Sequence, residues 1–230
     1  MKNYLMVGGV NSADYEIYIA DKNQFAAPAR DVEEIKVAGL NGNLHLDNGR
    51  FENQPLTYLL YIKKNLRANI DAFKAVLMNS SGYKKIQDTF NPEEYYQAAF
   101  TGGFDVDDSD KYRASFKITF DRMPQRFLVS GETPVSFTAA GAIKNPTQFE
   151  SKPLIRAYGT GSMTINGATM TINSANSYTD LDCRIQEAYK GSTNCNDNVS
   201  GTFPSLAPGV NNISFTGFTK LEITPNWWTI

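Results

Sequence analysis

Few residues in this chain could do covalent or metal chemistry. His45 is the single histidine among 230 residues, so any histidine-based metal site or triad would depend on it alone. It sits in Asn43-Leu44-His45-Leu46-Asp47-Asn48-Gly49, which reads as a strand entering a turn, with no partner motif. Asp180 and Asp182 lie two apart on an expected strand and so share a face. Paired carboxylates can cleave glycosides only at defined separations across a sugar; an outward face opposite Leu181, Cys183 and Ile185 is the simpler reading. The acidic run Asp105-Val106-Asp107-Asp108-Ser109-Asp110 invites comparison with a calcium loop. Such a loop needs glycine at its sixth position and glutamate at its twelfth, where this chain has Asp110 and Phe116. A solvated hairpin tip fits better. Gly159-Thr160-Gly161 is followed by strand-like sequence, and a phosphate loop needs a helix N-terminus there. There is no G-x-S-x-G elbow. Cys183 and Cys195 match no zinc spacing and are expected as free thiols in a reducing compartment. No cofactor, metal or catalytic set is expected.

Aromatic residues make up 12% of the chain. Trp227 and Trp228 are candidates for stacking on a sugar, but neighbours on a strand face opposite ways, so at most one of them lines a given surface. Core packing or subunit contact explains most of the aromatics.

The elements that would position these residues are mostly strands. In Arg113 to Phe120 the residues Ala114, Phe116, Ile118 and Phe120 alternate with Arg113, Ser115, Lys117 and Thr119, giving one buried and one wet face. Tyr15, Ile17 and Ile19 alternate similarly. Thr57 to Ile62 is apolar on both faces and suits a central strand. One amphipathic helix is expected over Leu66 to Met78, with Leu66, Ile70, Phe73 and Leu77 as its stripe, Asn65 as N-cap and Ser80-Ser81-Gly82 as its stop. Gly131, Pro134, Gly141 and Pro146 punctuate a stretch read as a connector. Beyond it, Asn166-Gly167 between alternating runs predicts a type I′ hairpin. The fold class is therefore mainly β. Residues 1–130 form one domain carrying the helix, 131–144 a linker and 145–230 a β-sandwich of jelly-roll type. The last strand, 225–230, either closes that sandwich or returns to the first domain.

Hydrophobic residues make up 41%, enough for a core. The net charge of −2 gives no bulk drive toward nucleic acid or an anionic membrane. Neither a secretory segment nor a membrane-length apolar run is visible, so synthesis in a cytoplasm is expected.

Several stretches, in order, resemble the distal tail (Dit) proteins of long-tailed (siphovirus) bacteriophages. Ala38-Gly39-Leu40-Asn41-Gly42-Asn43-Leu44 and Asn48-Gly49-Arg50-Phe51-Glu52-Asn53 resemble that family's "G-x-N-G-x-L … G-x-Y-x-N" region, with Ala38-Gly39-Leu40 where the family often has Pro-Gly-Arg. Tyr83 to Asp88 and Asn91-Pro92-Glu93-Glu94-Tyr95-Tyr96-Gln97-Ala98 are similar to its "Y-x-x-L-x-D … D-P-x-x-Y-Y-x-A". Phe116 to Phe127, ending Met123-Pro124-Gln125-Arg126-Phe127, resembles its "F-x-C-x-P-Q-R" strand end, with Met123 where the family has a cysteine near the strand end. Asn145-Pro146-Thr147, Ser151 to Ile155 and Pro208 to Asn211 are similar to its second domain.

The resemblance implies an N-terminal tail-tube-like β-barrel or sandwich that assembles into a hexameric ring, and a C-terminal galectin-like β-sandwich. The implied role is a structural hub at the virion tail tip. Its partners would be further copies of itself, the tail tube protein, a tail-associated tip protein and receptor-binding proteins. Sequence-specific nucleic acid binding and membrane binding are not implied. A carbohydrate-binding module that aids host adhesion is the alternative. Because polar hairpin tips project furthest from a core, the candidate assembly loops are the turn with Asp47, Asn48 and Arg50 and the tip with Asp105, Asp107, Asp108, Asp110 and Lys111.

Overall fold

The computed structural model describes residues 2–23, 26–79, 81–107, 113–175 and 177–230. The chain folds as two compact units, residues 1–126 with Ile230 and residues 127–229. Each has its own core. Both are built from antiparallel ladders, and the fold is mainly β.

In the first unit the main path of the sheet runs Val10–Asn11, Leu5–Val7, Lys84–Asp88, Glu94–Ala99, Ala114–Leu128, Gln54–Ile62 and Ile17–Lys22. The path does not close into a barrel by a full ladder. A single bridge, Asn3 to Ile19, links its first segment to the far strand. Alternation puts Ala114, Phe116, Ile118 and Phe120 on the inner face, all at most 4% exposed. They meet Leu56, Tyr58, Leu60 and Ile62 from the neighbouring strand. The latter strand, expected to be a more central one because both its faces looked apolar, lies inside the sheet, between Ala114–Leu128 and the edge strand Ile17–Lys22.

The helix spans Leu66–Met78 and buries Ile70, Phe73 and Leu77. Its start differs from expectation. Asn65 takes a left-handed backbone (φ 49°) and its side chain makes no capping bond. Instead its carbonyl accepts from the Asn69 amide, 3.0 Å. Tyr15, expected to open a strand, ends the 3-10 turn Ser12–Tyr15 and packs its ring on Phe73, 5.8 Å between centroids. The strand starts two residues later, at Ile17.

The second unit is a two-sheet sandwich. One sheet orders Val135–Phe137, Lys220–Thr224, Leu154–Tyr158, Tyr178–Asp182, Glu187–Lys190 and Thr193–Asn194. The other orders Gly141–Asn145, Gly209–Thr216, Gly161–Ile165, Ala168–Ile172 and Val199–Gly201. Ile155, Leu181 and Ile223 from the first sheet meet Met163, Ile165, Met170 and Ile213 from the second in one core. The stretch 131–144, expected as a linker, instead supplies the strands Val135–Phe137 and Gly141–Asn145. The glycines and prolines that suggested a connector mark turns between short strands. Gly131 has a packing role: a Cβ there would lie 2.4 Å from the Trp227 amide nitrogen. The Asn166-Gly167 turn has positive φ at both residues, 48° and 88°, which a type I′ hairpin requires.

Phe73 is fully buried between helix and sheet. Phe73→Ala should cost about 3–5 kcal/mol, read as a lower midpoint in urea unfolding followed by far-UV circular dichroism.

Candidate functional site

The long segment between the edge strand Ile17–Lys22 and the strand Gln54–Ile62 forms an arm rather than part of either core. Among the described residues, Arg30–Lys36 and Asn43–Phe51 pair only with each other, in a separate two-stranded sheet. Ile35 stands opposite Leu44 and Glu33 opposite Leu46. Since side chains alternate across a strand, Ile35, Leu44 and Leu46 share one face. They are 38%, 54% and 51% exposed, and Val37 and Leu40 beyond them are 45% and 56% exposed. The other face carries Glu34, Lys36, Asn43 and His45. The arm thus has a largely apolar face, with Glu33 at its edge opposite Leu46, that no described residue buries.

The arm's base is braced by polar pairs. Arg30 binds Asp47 at 3.1 Å, Asn48 donates to Asp31 at 3.0 Å, and Arg50 forms an ion pair with Asp31. The Asn48 amide and then the Arg50 guanidinium hold the Asp31 carboxyl below its ordinary range. Arg30 also lies over the Phe51 ring, 4.9 Å from its centroid.

This geometry revises one expectation. Asp47, Asn48 and Arg50 do not form a turn at a tip; they lie within the strand Asn43–Phe51. The pairing register shifts between Arg30 and Val32, and Gly49 takes φ 72° with its amide donating to Asp47 Oδ1 at 2.8 Å. The Asn48-Gly49 pair therefore encodes a β-bulge, which adds twist and bends the arm. The actual tip lies between the strands, where Gly39 and Gly42 take φ 83° and 89°.

For the second candidate loop, Asp108, Asp110 and Lys111 lie outside the described residues. Val106–Asp107 pairs with Phe116 and Ser115, and Asp105 is exposed just before it. The tryptophans divide sharply. Trp227 is 5% exposed within the second core, so its ring has no face for a sugar. Trp228 is half-buried, stacked on Phe149 at 4.5 Å, with its Nε1 donating to the Glu150 carbonyl at 2.9 Å.

The carboxylates Asp180 and Asp182 do not form a catalytic pair. Asp180 is 4% exposed and accepts two bonds from Arg156, at 2.6 and 2.9 Å. Asp182 accepts from the Arg184 amide at 2.9 Å. Both cysteines are free, and burial, then the nearby Asp182 charge, pushes the Cys183 thiol up to about 12. A thiol of that kind is inert as a nucleophile. Among the described residues no group of three or more His, Cys, Asp or Glu side chains could hold a metal, and no helix is long and apolar enough to cross a membrane.

A polar cluster in the first unit gave no signal in the sequence. Lys22 and Asp88 form an ion pair at 2.8 Å with both side chains 1% exposed. Asp88 also accepts from Tyr58 Oη at 2.8 Å and from the amides of Phe90 and Asn91. Burial, then the Asp88 charge, raises the Tyr58 phenol well above its usual value. With every oxygen of Asp88 occupied, the cluster pins the strand end at Asp88 to the edge strand.

No protein-family model and no curated protein matches this chain. Among solved structures it is similar to the crystal structure of SPP1 Dit (gp 19.1), described as a paradigm of the hub adsorption apparatus in Gram-positive infecting phages. The TM-score is 0.77 over the full length of both chains, at 14% sequence identity. This chain and that one share a fold.

Because no arm residue is among the described core residues, replacing residues 31–50 by a short Gly-Ser linker should leave the melting temperature within a few degrees of the parent. Differential scanning calorimetry would read it; a collapse of the transition would mean the arm supports the fold.

Proposed function

We propose that this chain is a distal tail protein of a long-tailed phage, a non-enzymatic structural hub that assembles into a ring, of six copies, at the virion tail tip. The observation that carries the reading is the arm: an amphipathic hairpin outside both cores, in a chain whose full length shares its fold with a phage hub protein. A two-stranded hairpin is at best marginal on its own in water. An unpartnered face bearing Ile35, Val37, Leu44 and Leu46 therefore calls for a surface to cover it. In a ring that surface is supplied by the next copy through a heterologous interface that closes by rotation. Asp47, Asn48 and Arg50 then hold the arm at its bulged angle, and Asp105 and its loop lie on a second assembly surface.

The remaining assignments follow from that role. The tail tube protein and a tip protein are the axial neighbours, with receptor-binding proteins outside. DNA passes through the ring without tight binding, in keeping with a net charge of −2. Carbohydrate binding by the second unit ranks behind this reading. It would draw on the solvent face that carries Tyr158 and Tyr178, with ring centroids 6.1 Å apart beside Arg156, rather than on Trp227.

The test is self-association. The double variant Leu44→Asp, Leu46→Asp places two charges on the arm's apolar face, where burial without a partner is costly. Native mass spectrometry should find it monomeric where the parent forms rings, with unchanged circular dichroism. Rings of unchanged size from the variant would remove the arm from the interface and this reading with it.

A further inference from the structure

Three cations approach the polar end of the first unit's sheet, and two of them have carboxylates. Lys22 has Asp88 at 2.8 Å, and Arg126 has Glu94 at 2.9 and 3.1 Å. The third is Arg122. It follows Phe120 on the inner face of the strand Ala114–Leu128 and is 6% exposed. Its Nη2 donates to the Gln54 amide oxygen across the ladder, and its guanidinium lies 5.0 Å from the Tyr96 ring centroid. Its Nη1 has no hydrogen-bond partner, and among the described residues no carboxylate lies within ion-pair distance of it. Burial accordingly depresses its basicity.

A buried guanidinium with a neutral partner and an orphaned N–H is costly. The cost is relieved if an anion arrives from outside. Arg122 lines a cleft of about 590 Å³, within the range of small-molecule sites. Its walls include Ala26, Ala27, Phe90 and Pro92, with Arg126 beside Arg122 and the exposed Glu93 also on its lining. Arg126 is already held by Glu94 and by the oxygen of Ile230, also on the lining, at 2.6 Å, so the donor left without a partner in the cleft wall is Arg122 Nη1.

We propose that this cleft is a binding site for a carboxylate carried on a short apolar chain, with Arg122 as its receptor. The carboxylate takes the unsatisfied Nη1 donor in a charge-assisted bond, once the guanidinium turns this buried atom toward the cleft, and the apolar chain lies against Phe90, Pro92 and the two alanines. A free small carboxylate and an acidic side chain of a protein segment offer the same group. The site does not depend on the ring reading, because every residue in it belongs to the first unit.

The experiment is calorimetric titration of the full chain at constant ionic strength with hexanoate, acetate, hexanamide and the peptide acetyl-Ala-Leu-Glu-amide. Hexanoate should bind saturably, one per chain, at least about tenfold more tightly than acetate because the walls cover its extra methylenes. Hexanamide, which lacks the charge, should give no saturable heat. Binding of hexanoate alone identifies a small-molecule carboxylate; binding of the peptide identifies an acidic protein segment. Arg122→Met should abolish the response while melting at or above the parent temperature, since replacing a buried unmatched charge by a side chain of similar size is often stabilising. If that variant fails to fold, the contrast between hexanoate and hexanamide on the parent chain decides. Equal heats from those two ligands, no saturable binding by hexanoate or the peptide, or full binding by Arg122→Met would overturn the proposal.

Discussion

A two-stranded sheet has two faces and no second layer, and that constraint governs the reading of this molecule. The strands Arg30–Lys36 and Asn43–Phe51 satisfy each other's backbone groups, but they cannot bury the side chains on either of their faces. The chain places Ile35, Val37, Leu44 and Leu46 where water must hydrate them unless another surface arrives. Among the described residues, none of the arm belongs to either core. In the proposed ring, its apolar face would become core only on assembly.

The rest of the fold holds that arm in place. The edge strand Ile17–Lys22 leads toward it and the strand Gln54–Ile62 leads away, both tied into the first core. The buried Lys22–Asp88 pair, with Tyr58 and two backbone amides on the same carboxylate, fixes the end of that edge strand. Breaking such a pair by removing one partner would leave a charge stranded in the interior. At the arm's base the Gly49 bulge and the pairs of Asp31 with Asn48 and Arg50 set the direction in which it leaves.

Much of this fold was legible in the sequence where the signal was local. The period-2 run from Ala114 to Phe120 gave a strand with the inner face it has, and the stripe Leu66, Ile70, Phe73 and Leu77 gave the helix Leu66–Met78 at its observed bounds. Asn166-Gly167 gave its hairpin. The same dipeptide chemistry misled at Asn48-Gly49, because a glycine with positive φ serves a bulge as well as a turn; only the pairing with residues 30–36 distinguishes them. Residues 131–144 failed as a linker because the short strands there are defined by partners far along the chain, such as Gly141 with Ile213 and Val135 with Ile223. Trp227 and Trp228 are adjacent and alike in sequence, yet one fills a core and the other stacks on Phe149. The Lys22–Asp88 pair and the unmatched Arg122 could not be seen at all, since they depend on which distant residues meet.

The central claim is that the arm's apolar face is covered by another copy of this chain. A photo-crosslinking residue, benzoylphenylalanine, placed at position 44 and irradiated in the assembled protein tests it most directly. The account predicts a product of twice the chain mass, with the crosslink joining position 44 to a peptide of a second copy, as shown by mixing isotope-labelled and unlabelled chains. Irradiation that yields only monomer, or crosslinks confined to the same chain, would contradict it.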